Sequence, residues 1–235
     1  MRGTMVRTVS FLLAAAIAAG CATGPKPDPQ GLDPYARYLG AVELAKTGDP
    51  VDAREIVRML EDADELARDG AVVALGQLRR PEHVPALIEM TFERIEQART
   101  CPKHPEIVRS VPDACPLCGA ELQAVPGSRG GVRSTPLVRA DAVRALAVIG
   151  DARAVAAVCG ALRGDGSIEV RRTAALALEA FADQRAALEA LVDALEDRAA
   201  AVSHNAHGTL CRIARRDDLP RKAAPWREWL RGRTP

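Results

Sequence analysis

The chain has 235 residues, of which 48% are hydrophobic, 27% charged and only 3% aromatic. That is the composition of a folding chain, not of a disordered one. Basic residues (32) balance acidic ones (31), so no basic surface for nucleic acid is implied, and two Trp, two Tyr and three Phe are too few for base-stacking platforms or aromatic-rich strands.

The N-terminus reads as an address. Arg2 and Arg7 precede an apolar run from Val9 to Ala19, broken by Ser10. Such a run is too short to span a bilayer, which takes about 20 residues, but it fits the apolar region of a secretory signal. It ends in Ala18-Ala19-Gly20-Cys21. These residues resemble the bacterial lipobox, in which small residues precede a cysteine that is acylated and becomes the new N-terminus. The resemblance implies a signal peptide over 1–20, lipidation at Cys21 and attachment to a membrane of the cell envelope, facing the periplasm. Ala22, in place of Asp, favours the outer membrane over the inner. Residues 21–34 hold Pro25, Pro27, Pro29 and Pro34 with Gly24 and Gly31, the composition of an extended tether.

The body repeats. Helical segments align on Leu75, Leu146, Leu178 and Leu210, at spacings of 71, 32 and 32 residues. The same shifts align Ala71, Ala142, Ala174 and Ala206; Ala67, Val138, Val170 and Val202; Ala74, Ala145, Ala177 and Thr209; and Leu78, Ile149, Phe181 and Ile213. These columns form one face of an α-helix. Arg68, Arg139 and Arg171 make a polar column that Ser203 breaks. Each aligned helix follows another apolar-periodic segment: Val51 to Leu60, Val84 to Ile95, Ala154 to Leu162 and Leu188 to Leu195. Gly48-Asp49 and Gly150-Asp151 supply a helix stop followed by a helix cap. A hairpin this short cannot bury its own apolar face, so copies stack.

Phrases such as VRADAVRALAVIGD and EVRRTAALALEAF resemble bacterial HEAT-like repeats. The expected fold is all-α: a HEAT-like α-solenoid of about four helical hairpins, with repeats over 35–99 and 136–235. Tyr35 to Thr47 reads as an N-terminal capping helix, and Trp226, Trp229 and Leu230 as the apolar face of a C-terminal one. Some relatives of such repeats act on bilin chromophores, which makes a lyase a remote alternative. No nucleophile–base arrangement, phosphate loop or paired-carboxylate site is evident, so neither an enzyme nor a small-molecule substrate is expected. The cluster Glu61, Asp62, Asp64 and Glu65 reads as inter-helix turn chemistry.

The first spacing is 39 residues longer than the others, and the extra residues lie roughly over 100–135, where Pro, Gly and Cys replace Ala and Leu. Cys101 and His104 are followed by Cys115 and Cys118 in a C-x2-H, C-x2-C pattern. Two close pairs of soft ligands can wrap one ion, and three thiolates with an imidazole suit tetrahedral Zn(II). Four protein ligands leave no open position for a substrate. A disulfide-stapled loop is the alternative. The run Thr100-Cys101-Pro102-Lys103-His104-Pro105-Glu106-Ile107, continued by Cys115-Pro116-Leu117-Cys118-Gly119, resembles the heavy-metal-binding domain of bacterial copper and silver handling systems. Lys103 and Ala120 stand where that family usually has Met. Loss of two thioethers favours zinc, with copper or another soft metal as the alternative.

His204, His207 and Cys211 share a helix face and offer a possible second ion site, whereas Cys159 reads as a core residue and His83 as a loop-to-helix residue. The functional expectation is a lipid-anchored scaffold that binds an unidentified protein partner and carries a metal-binding, zinc-ribbon-like insert. Its alternative is a protein that captures or senses heavy metal.

Overall fold

The computed structural model describes residues 27–92, 99–104, 108–109, 114–115, 118–124 and 134–232. Residues 1–26, on which the expected signal segment, Cys21 and the first part of the expected tether fall, lie outside them. No described helix is long and apolar enough to cross a membrane.

The helices in chain order are α1 (Pro34–Thr47), α2 (Pro50–Met59), α3 (Glu65–Leu78), α4 (Val84–Met90), α5 (Pro136–Ile149), α6 (Val155–Gly164), α7 (Ile168–Ala177), α8 (Arg185–Asp193), α9 (Ala200–Ala214) and α10 (Ala223–Arg231). Boundary chemistry is local. The Asp33, Asp49 and Asp64 side chains each accept a backbone N–H in the first turn of α1, α2 and α3. Gly48 and Gly150 stop α1 and α5 in the left-handed conformation. Helix α4 ends at Met90, short of the expected Ile95. Thr91 closes it by turning both its N–H and its hydroxyl back onto the Ile88 carbonyl.

The pairs α2/α3, α4/α5, α6/α7 and α8/α9 are the four expected hairpins. Helices α1, α3, α5, α7 and α9 stack on one another in order, and α6, α8 and α10 stack behind them. The terminal helices are therefore half-repeats: α1 continues the layer of second helices and α10 the layer of first ones. The predicted columns are the core. Leu75, Leu146, Leu178 and Leu210 are fully buried, as are Ala71, Ala142, Ala174 and Ala206. Only the last column is looser, with Phe181 buried and Leu78, Ile149 and Ile213 half-buried. Small residues set the spacing: a Cβ on Gly70 would stand 2.7 Å from Tyr38 Cα. Trp226 is fully buried at the C-terminal end, its Nε1 donating to the Pro220 carbonyl at 3.1 Å and its ring meeting Trp229 edge-on.

The arginine column is buried and carries a ladder between hairpins. Arg171 donates from Nε and Nη2 to the two oxygens of Asp197, at 2.9 and 3.2 Å. Arg139 grips Asp165 in the same way at 2.7 and 2.9 Å. Arg37, outside the column read from sequence, meets Asp62 with Nε at 2.9 Å and Nη2 at 3.2 Å. Each aspartate also accepts the N–H two residues on, from Asp64, Ser167 or Ala199. Burial opposes ionisation of Asp197, yet the Arg171 guanidinium and the Ala199 N–H hold its carboxyl below the ordinary value. Asp62 is thus a ladder member as well as a turn residue.

The seam between α3 and α5 adds a buried carboxyl. Asp69 on α3 faces Asp141 on α5, and its Oδ1 has no hydrogen-bond partner among the described residues. Burial first, then the hydrogen bond and charge of Asp141, with a smaller push from Glu65, raise its pKa to about 8 against the opposing Arg144. From α1, Tyr38 faces the same pair, its phenol pushed up by burial and by both carboxylates. The folded chain retains a proton that the unfolded chain releases near pH 4, so this group's stabilisation is complete below pH 4 and is lost as pH rises through about 8. Asp69→Asn keeps a hydrogen-bonding group without the titration. The variant is expected to be more stable than the parent at pH 8, by roughly 1–3 kcal/mol, with a flatter stability profile between pH 5 and 8 in thermal melts. An equally steep profile in the variant would contradict the assignment.

Candidate metal centre

The long excursion between α4 and α5 holds three two-residue strands, β1 (Arg99–Thr100), β2 (Val108–Arg109) and β3 (Gln123–Ala124). β1 lies centrally, antiparallel to both others, with Thr100 opposite Val108 on one side and Gln123 on the other. So short a sheet cannot stand alone. Its core is Cys101, Cys115 and Leu122, with Ala120 packed against them.

Two tight turns aim the ligands. The His104 N–H donates to the Cys101 carbonyl at 3.2 Å, folding His104 back towards the Cys101 sulfur. The Cys115 N–H donates to the Ala120 carbonyl and the Gly119 N–H to the Cys115 carbonyl, both at 2.8 Å. Gly119 has φ +69°, a conformation that a side chain would oppose. The result brings Cys101 Sγ within 3.6 Å of Cys118 Sγ and 3.7 Å of His104 Nδ1, while Cys115 Sγ lies 3.5 Å from the same nitrogen. All four donor atoms lie within 4.8 Å of one another.

These separations fit a tetrahedron. Zinc at about 2.3 Å from sulfur and about 2.05 Å from nitrogen sets ligand edges of about 3.8 Å between sulfurs and about 3.6 Å from sulfur to nitrogen. The cysteines are thiols, not disulfides, since 3.6 Å between the sulfurs of Cys101 and Cys118 far exceeds the roughly 2.05 Å of a bond. The stapled-loop alternative is not what forms.

The electrostatics favour a cation. Burial alone would push the Cys101 thiol up, but the Lys103 N–H and His104, with smaller help from Cys118 and Cys115, bring it to about 6. The Ala120 N–H lowers the Cys118 thiol, yet burial and the other two sulfurs leave it raised. Cys101 and Cys115 hold the His104 imidazole above its ordinary value. Three sulfurs this close cannot all ionise without a positive charge among them. Cys101 and Cys115 are buried, His104 is half-buried and Cys118 is exposed, so the cluster meets solvent on the Cys118 side.

The other candidates do not join such a set. Among the described residues, the Cys101–His104–Cys115–Cys118 cluster is the one group of three or more potential ligands. His204 points to solvent, whereas His207 places Nε2 at 2.9 Å from the Leu219 carbonyl and packs against the edge of Trp226. Cys211 lies 3.6 Å from His207 Nε2. The i, i+3, i+7 spacing aligned the three along one helix, but the chain after α9 folds back and takes His207 into the end of the stack. Among the described residues the three do not come together as a ligand set. Cys159 is buried, its thiol 3.6 Å from the Ala186 carbonyl, and His83 ends the short turn Pro81–His83 before α4.

Fold and site together define an all-helical HEAT-like repeat domain carrying an inserted Cys3His cluster. Residues 133–217 match the family of HEAT repeats, and residues 100–125 match the heavy metal binding domain. No curated protein matches the chain. Among solved structures, a crystal structure of an engineered protein shares 18% identity, covering 79% of this chain and 76% of that one, at a TM-score of 0.45. The complex of CpcE and CpcF of phycocyanin lyase from Nostoc shares 23% identity, covering 87% of this chain and 65% of that one, at a TM-score of 0.42.

Proposed function

We propose that the protein is a non-enzymatic scaffold anchored by lipid in the cell envelope and facing the periplasm, with Zn(II) as the resident ion of its insert. The observation that carries this reading is a four-donor set built into one arm of a stacked-helix scaffold. Cys101, His104, Cys115 and Cys118 would hold the ion and use all four tetrahedral positions, which leaves none for substrate. The ion's chemistry is to cross-link two turns that share almost no apolar core. Stacked repeats present a long, continuous surface to a protein partner, and apolar Leu137, Val148, Ile168 and Leu176 are exposed on α5 and α7. The lipid anchor rests on Ala18-Ala19-Gly20-Cys21 and the proline-rich tether, and outer-membrane placement on Ala22.

Exposure of Cys118 favours one second reading, capture of a soft metal ion, because an accessible thiolate is where a competing ligand would begin exchange. Isolation of the native chain from its envelope, with metal analysis and identification of co-purifying proteins, tests both. Slowly exchanging zinc with a stoichiometric protein partner supports the scaffold. A readily exchanged soft ion without a partner supports capture. Cys21→Ala is expected to move the protein from the membrane fraction to the soluble one. An unmodified N-terminus elsewhere by mass spectrometry would overturn the anchor.

A further inference from the structure

The sulfurs of the cluster differ in how solvent reaches them. Among the described cysteines Cys118 alone is exposed; Cys101, Cys115 and Cys159 are buried and Cys211 is half-buried. A small oxidant arriving from solvent therefore meets Cys118 first. Behind it lies Cys101, fully buried, with its Sγ 3.6 Å from that of Cys118. A disulfide needs about 2.05 Å between sulfurs, a short closure from where the two stand. Cys159 and Cys211 sit on α6 and α9 and belong to no such group. An accessible thiol with a second thiol within reach is the arrangement in which a sulfenic acid is resolved to a disulfide.

Cys101 follows β1 and Cys118 precedes β3. A bond between them ties the same two turns that the ion would join, and it does so without the ion.

We propose that Cys118 is a site of reversible oxidation by hydroperoxides, that Cys101 is its resolving thiol, and that the resulting disulfide empties the metal centre. The last part rests on the zinc reading above; the disulfide does not. With hydrogen peroxide, the Cys118 sulfur, as thiolate, attacks one peroxide oxygen. The O–O bond breaks, the leaving oxygen takes a proton from solvent and departs as water, and Cys118 becomes a sulfenic acid. The Cys101 sulfur, losing its proton to solvent, then attacks the Cys118 sulfur. The S–S bond forms, the S–O bond breaks, and the departing hydroxide is protonated to a second water. Two electrons pass from the two sulfurs to the peroxide. Cys115 and His104 are then the donors left, half of a tetrahedral set.

The test uses the full chain with Cys21→Ala, loaded with zinc and treated with one equivalent of hydrogen peroxide. Intact mass, peptide mapping and a coloured zinc chelator read the result. The expected outcome is loss of two hydrogens, a cross-linked peptide joining Cys101 to Cys118, and zinc release in proportion to the disulfide. Dithiothreitol should restore both thiols and zinc binding. Cys118→Ser should leave Cys101 reduced under the same conditions, whereas Cys211→Ser should behave like the parent. A disulfide mapped to Cys115 and Cys118, or a parent chain that peroxide leaves fully reduced, would overturn the proposal; both are read in the parent, whatever the Cys118 variant does to the fold of the insert. The Cys101–Cys118 bond in a chain that bound no zinc beforehand would support the oxidation site and count against the zinc reading. Zinc retained with every thiol reduced would do the reverse.

Discussion

Replacing Cys115 and Cys118 together by serine is expected to abolish stoichiometric zinc binding while leaving most of the helical signal in place. The two halves of this result have separate causes. The insert owns a core of Cys101, Cys115 and Leu122 with Ala120 beside it, so its order rests on the ion that would join Cys101 and His104 to Cys115 and Cys118. Structural zinc contributes on the order of 10–16 kcal/mol to small domains of this kind at neutral pH. The repeats bury their own columns without help from that ion, from Ala41 to Leu230. A strong chelator should reproduce the effect in the parent: loss of insert resonances in an NMR spectrum, little change in far-UV circular dichroism. Undiminished zinc binding in the double variant would show that the ion sits elsewhere. Met at positions 103 and 120 should shift preference towards Cu(I), since thioethers suit that ion.

Leu178→Asp should be among the most damaging single changes in the repeats. Leu178, the residue that caps α7, is fully buried, in a column shared with Leu146 and Leu210 on the neighbouring second helices. The change removes a full leucine contact and places a carboxylate within the apolar core cluster. The expected loss is about 4 kcal/mol or more, the range reached only by core disruption or buried charge. Thermal melts would show a midpoint lower by roughly 10 °C, whereas Leu176→Asp, on an exposed position two residues away, should change little. Equal stability of the Leu178 variant and the parent would mean that the column is not core.

The repeat was legible because a solenoid writes the same contact once per turn. A position that meets its neighbour in every hairpin must be apolar in every hairpin, so Leu75, Leu146, Leu178 and Leu210 announce the stack without coordinates. The ligand set was legible for a related reason: both pairs are local in sequence, so spacing alone constrains where the donors can point. The caps at Asp49, Asp64, Gly48 and Gly150 are local too.

What remained hidden involved partners distant in the chain. The arginine column was visible, but its buried role was not, because each acid lies on the next hairpin and Arg37 falls outside the register of the other three. No local pattern marks Asp69, which meets Asp141 across 72 positions of sequence. His207 shared a helix face with His204 and Cys211, yet α10 and the chain leading to it claimed it for the end of the stack. By itself, then, the sequence determined the hairpins, their register and the four clustered donors, because local pattern carries each of them. Only the tertiary structure decided which charges are paired, which is left unpaired, and which histidine is structural, because burial and long-range partners set the free energy of a polar group, and neither is written in local pattern.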